Sequence, residues 1–150
     1  MGLDMYLKAR SSVNAYDSED SQQKALQQVP FIADTGMMVN GIEYRVMYWR
    51  KANAIHKWFV DNVQDGVDDC GEYEVSVTDL QALRDTCLEV LREKGKAGEL
   101  LPPSAGFFFG TTDITDYYFD DLRDTGEAMD RALALAQRDR WISFTYQSSW

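Results

Sequence analysis

Short segments of alternating polarity, longer segments of helical period between them, and the lack of any repeat or linker predict a single α+β domain over residues 1–150. The predicted architecture is a short antiparallel or mixed sheet with three to four helices packed mainly on one face. Short alternating strands bury one side and wet the other, which favours such a layered arrangement over a fully buried parallel sheet.

Each element follows from its residues. Leu3, Met5 and Leu7 alternate with Asp4, Tyr6 and Lys8, the period of a half-buried strand. A polar stretch follows, and its centre, Asp17 to Gln27, predicts a short helix that Pro30 ends. Asn40-Gly41 is a strong turn signal. With Met37 to Val39 extended, it closes a hairpin into Ile42 to Trp49, along which Ile42, Tyr44, Val46 and Tyr48 share a face. Ala52, Ile55, Phe59 and Val63 recur at helical spacing until Asp65-Gly66 stops them. After an acidic loop, Tyr73 to Val75 reads as a short extended piece. Ser76 with Asp79 then resembles a capping box opening a helix with Leu80, Leu83, Cys87, Val90 and Leu91 on its apolar face, ended by Gly95. Leu101-Pro102-Pro103 is a rigid connector, and Gly106-Phe107-Phe108-Phe109-Gly110 is read as a buried strand. An acidic helix follows, and Trp141 to Tyr146 alternates as the last strand.

The chain carries 25 acids against 15 bases, a formal net charge of -10. Binding phosphates needs a positive footprint, so the composition argues against direct contact with nucleic acid and for attraction to basic surfaces. Two cysteines, Cys70 and Cys87, make no disulfide framework. No stretch reads as a signal peptide or membrane span, and Tyr6 stands where a myristoylation signal wants Ser or Thr. The expectation is a cytoplasmic protein, with self-association left open.

Asp113, Asp116, Asp120, Asp124 and Glu127 recur at steps of three or four. At about 100° per residue they form one helical stripe opposite Tyr118, Leu122, Thr125, Met129, Leu133 and Ala136. Like charges at this spacing cost a few tenths of a kcal/mol each, so a purely structural face would more often mix signs. Asp65, Asp68 and Asp69 add charge in the preceding loop. These eight acids are the candidate surface for a basic partner; the plainer reading is a solvated helix face and an acidic loop.

A second candidate is Trp49, Arg50, Asn53 and His56, which includes the only histidine. A guanidinium, an amide, an indole and a titratable ring could bind a small anion, with His56, Arg50 and Asn53 as catalytic groups. The plainer reading is a border histidine bonded locally and aromatics serving as core. Cys70 follows Asp68 and Asp69, which disfavour a thiolate, so a nucleophile paired with His56 is the weakest option. No residues are spaced as metal ligands, and no phosphate-loop or dinucleotide fingerprint occurs, so neither metal nor cofactor is expected.

Met1-Gly2-Leu3-Asp4-Met5-Tyr6-Leu7, the run Tyr48-Trp49-Arg50-Lys51-Ala52-Asn53-Ala54-Ile55-His56 with Trp58-Phe59, and Gly106-Phe107-Phe108-Phe109-Gly110 together resemble a family of small bacteriophage and prophage proteins with no established activity. The resemblance implies a setting inside a bacterial host cell and transfers no catalytic residues. The expected function is that of a small acidic accessory protein that binds a basic host protein, for instance to inhibit a nucleic-acid-binding defence complex. A small enzyme or anion binder built on the Trp49 to His56 cluster is the alternative.

Overall fold

The computed structural model describes residues 2–13 and 19–150. In chain order the elements are β1 (Asp4–Ser12), α1 (Glu19–Gln28), β2 (Gly41–Arg50), α2 (Asn53–Asn62), β3 (Glu72–Val75), α3 (Val77–Arg92), the single turn α4 (Ala97–Leu100), α5 (Asp116–Arg138) and β4 (Ile142–Ser149). Short 3-10 turns occupy Pro30–Ile32 and Lys94–Lys96. The first residues of the helix expected from Asp17, and Met1 of the opening motif, lie outside the described residues.

The strands form one antiparallel sheet of order β2-β1-β4-β3, so the α+β expectation holds. Cross-strand partners share a face, and one face gathers Met5, Leu7 and Ala9 of β1, Phe144 and Tyr146 of β4, Trp49 of β2 and Val75 of β3, all buried. Helices cover that face. Phe59 of α2 stacks on Tyr146 with ring centroids 3.9 Å apart, and α3 and α5 contribute Leu80, Leu83, Cys87, Val90, Leu122, Met129 and Ala132 to the same core. Burying each such side chain is worth roughly 1.5–3 kcal/mol. The opposite face carries Asp4, Tyr6 and Lys8, half-buried and alternating with the core residues.

Local chemistry accounts for the element ends. The capping box at α3 is complete: Ser76 Oγ accepts from the Asp79 N–H at 3.1 Å, and Asp79 Oδ2 accepts from the Ser76 N–H at 2.9 Å. Asp65 and Gly66 close α2 through two left-handed residues, φ 51° and 78°.

Three expectations are corrected. Met37 to Val39 is not a strand, and Asn40-Gly41 does not close a local hairpin, because β2 pairs with β1 instead. Gln22 brackets Val39 in place of a strand partner, its Oε1 accepting from the Val39 N–H at 3.1 Å and its Nε2 donating to the carbonyl at 2.7 Å. Second, a bulge opposite Leu7 and Lys8 breaks the alternation of β2. Met47 and Trp49 lie opposite Leu7 and Met5 on the core face, whereas Tyr48 turns outward, donates to Asp4 and packs on Tyr6. Third, Gly106 to Gly110 is a turn. Phe107 is 95% exposed and only Phe109 is buried. The chain stays there because the Leu3 N–H donates to the Phe108 carbonyl at 3.1 Å.

Candidate functional site

The four residues Trp49, Arg50, Asn53 and His56 do not converge. Trp49 Nε1 donates to Thr125 Oγ1 at 2.8 Å, fastening β2 to α5 inside the core. Asn53 is buried at the start of α2 and spends its whole amide on one loop. Its Nδ2 donates to the carbonyls of Phe109 and Thr111, both at 2.9 Å, and its Oδ1 accepts from the Ser104 N–H at 3.1 Å. His56 is 1% exposed, with Nδ1 2.8 Å from Tyr146 Oη and Nε2 3.0 Å from Asp68 Oδ2. A carboxylate only accepts, so Nε2 donates to Asp68, while Nδ1 and the Tyr146 hydroxyl share the other bond. Burial, followed by the Asp68 charge, holds the Tyr146 hydroxyl well above its ordinary pKa. Phe109 closes the ring edge-on at 5.1 Å. Both ring nitrogens are therefore engaged and sealed from solvent, which leaves none for Cys70 or a substrate. Only Arg50 keeps an exposed head.

Arg50 and Asn53 do line a cleft of about 320 Å³ between the end of β2, the loop 103–115 and the first turns of α5. Lys51, Asp113, Tyr117 and Asp121 are among its other polar lining residues. Lys51 has φ 59°, a strained value for a residue with a side chain. Its N–H donates to the Leu3 carbonyl at 2.7 Å, and its stem covers Gly110, where an added Cβ would meet Lys51 Cβ at 3.2 Å. Asp121 was not anticipated from the sequence. It falls on the flank of the helix between the acidic stripe and the apolar face. Burial, then the neighbouring charges of Asp124 and Asp120, push its carboxyl up to about 6. A carboxyl poised there can exchange a proton near neutral pH. Its one sequence signal is that it breaks the regular stripe.

The stripe is realised from Asp116 onward: Asp116, Asp120, Asp124 and Glu127 are exposed on α5, with Tyr118, Leu122, Thr125, Met129 and Leu133 buried behind them, whereas Asp113, also exposed, lies in the loop before the helix, which begins only at Asp116. Among the described residues only Asp120 has a cation within 4 Å, Arg123 at 2.6 Å. Thr111 Oγ1 donates to Asp113. Next to these acids in the chain stand Ile114, 43% exposed, and Tyr117, 83% exposed.

The loop acids behave differently. Asp68 holds His56 and accepts from Trp150 Nε1 at 3.1 Å; Asp69 accepts from the Gly71 N–H at 2.8 Å and from Tyr73 Oη at 3.0 Å. Of the three, only Asp65 is an exposed acid without such a task among the described residues. Strand β3, which follows this loop, lies at the edge of the sheet opposite β2, on which α5 packs. Two of the three loop acids, Asp68 and Asp69, are engaged within the chain. Among the described residues no group of three or more His, Cys, Asp or Glu is placed to hold a metal ion, and no helix is long and apolar enough to cross a membrane.

Compared with protein-family models, curated proteins and solved structures, the chain matches none.

Proposed function

We propose that this chain is a non-enzymatic interaction protein that docks the first half of α5 against a basic protein. The observation that carries the reading is the row of Asp116, Asp124 and Glu127 on α5, with Asp113 in the loop just before it, all exposed and without a cation of their own within 4 Å among the described residues. A step of four residues advances about 6 Å along a helix, so the charges form a regular row. Ile114 and Tyr117 supply an apolar and an aromatic anchor at one end of it, a pairing of anchors with charge that protein interfaces use. The resemblance to phage and prophage proteins suggests a bacterial host cell, and a basic nucleic-acid cleft of a host protein is the kind of surface the row complements. Asp65, Asp68 and Asp69 take no part in this reading.

The test is capture from a bacterial lysate at two salt concentrations, comparing the native chain with Asp116→Asn/Asp120→Asn/Asp124→Asn and with Tyr117→Ala. The expected result is a basic protein retained at low salt and lost at high salt, and lost from both variants. Equal capture by the triple variant at low salt would refute electrostatic docking.

A further inference from the structure

The charge of α5 reverses along its length. After Glu127 and Asp130 the exposed positions include Arg131 and Arg138, which with Leu135 fall at i, i+4 and i+7 on one stripe. That stripe faces the bulged part of β2. Between them lies a second cleft of about 270 Å³, lined by Arg45, Arg131 and Arg138, by the apolar Tyr44, Val46, Leu135 and Ile142, and by Ser11 and Asp139.

Three features set this cleft apart. None of its three arginines has a carboxylate within 4 Å among the described residues, in a chain where acids outnumber bases by ten. Asp139, its one acid, already accepts the Trp141 N–H at 2.8 Å. One more guanidinium stands at the same end of the sheet: Arg140 stacks on Trp141 at 4.7 Å. Helix-dipole complementation explains Arg138 in the last turn of α5, but not Arg131 or Arg45.

We infer that this cleft is a binding site for a small phosphate monoester with an apolar, ring-sized body. A phosphate monoester is close to dianionic at pH 7 and offers three acceptor oxygens, which matches several guanidiniums better than a singly charged carboxylate does. The apolar walls call for more than inorganic phosphate. The volume, at the small end of ligand pockets, suits a single ring and its phosphate. Net charge of -10 disfavours a polymer of phosphates, so the ligand is a small molecule.

The site is independent of the acidic face, and the test separates them. Phenyl phosphate is titrated into the full chain at low ionic strength and followed by amide NMR, with inorganic phosphate, benzoate and phenol as comparators. Saturable shifts are expected around residues 44–46 and 131–142, with phenyl phosphate binding about tenfold or more tightly than each comparator. Arg131→Gln/Arg138→Gln is expected to weaken it at least about tenfold. These side chains are exposed, so the amide spectrum of the variant should otherwise match the native one. The variant Asp116→Asn/Asp120→Asn/Asp124→Asn should bind phenyl phosphate at least as well as the native chain. Equal binding of inorganic phosphate or benzoate, shifts elsewhere, or native affinity in the arginine variant would each overturn the assignment.

Discussion

His56 and Tyr146 are 90 positions apart, yet His56 Nδ1 lies 2.8 Å from the Tyr146 hydroxyl in the centre of the core. The pair ties α2 to β4 beneath the stacked rings of Phe59 and Tyr146, and Asp68 completes it from the other side of the imidazole. A buried polar pair is cheap while satisfied and costly when halved. Tyr146→Phe is expected to cost about 1–2 kcal/mol and His56→Leu about 1–3 kcal/mol, each leaving a partner unbonded. The double variant should cost less than the sum, because neither orphan then remains. Urea unfolding of the four proteins measures the coupling, and strict additivity would show that the contact contributes nothing.

Asn53 does for the loop what His56 does for the core. One side chain satisfies three backbone groups of residues 104, 109 and 111, in a segment with no ladder of its own. Asn53→Ala should cost about 2–3 kcal/mol, roughly one buried hydrogen-bond loss per group after partial rehydration. Asn53→Asp should be no better, since a carboxylate cannot donate to the carbonyls of Phe109 and Thr111. Hydrogen exchange is the sharper measurement: amides from 104 to 111 should lose protection before the sheet does.

The fold was legible where periodicity alone decides. The alternation at Leu3, Met5 and Leu7, the capping box at Ser76 and Asp79, and the two faces of α5 all read directly from spacing. Pairing over long range was not legible. Nothing in Asn40-Gly41 announces that β1 claims β2, and a bulge of one residue is enough to turn Tyr48 outward and Trp49 inward. The triple phenylalanine misled for a related reason: composition suggested burial, but the Phe108 carbonyl held by Leu3 fixes a turn that leaves Phe107 in solvent. Of the site, the acidic row was visible and the fate of each polar residue near His56 was not, because their partners Tyr146, Thr125 and Phe109 come from distant segments.

Trp49 and Thr125 join β2 to α5 by one buried bond, and the Thr125 hydroxyl in turn donates a hydrogen bond to the Asp121 carbonyl at 2.6 Å. Thr125→Val keeps the shape and removes the acceptor. Leaving the indole N–H unsatisfied should cost about 1–3 kcal/mol, read from urea unfolding followed by tryptophan fluorescence.

The two cysteines should differ in reactivity. Cys87 is buried on α3, and desolvation pushes its thiol up to about 12, so it offers no thiolate at neutral pH. Alkylation under native conditions should spare Cys87 until the chain unfolds globally. Labelling at a rate independent of denaturant would contradict the burial.

Asp121 gives a pH signature whose sign is fixed by its surroundings. Its carboxyl is pushed from an ordinary 3.8 up to about 6, first by burial and then by Asp124 and Asp120. The folded chain therefore holds the proton more tightly than the unfolded chain does. The stability this confers is complete below about pH 4 and is lost as pH rises through about 6. A two-unit shift corresponds to roughly 3 kcal/mol at most. Asp121 is only partly buried, so solvent screening reduces the expected effect to about 1–2 kcal/mol. Asp121→Asn cannot ionise. It should match the native chain near pH 4 and exceed it by about 1–2 kcal/mol at pH 7, with the gap opening between those values. Urea unfolding at intervals of half a pH unit would trace the curve. A variant less stable than the native chain at pH 7 would mean that the charged carboxylate has a partner which offsets its burial.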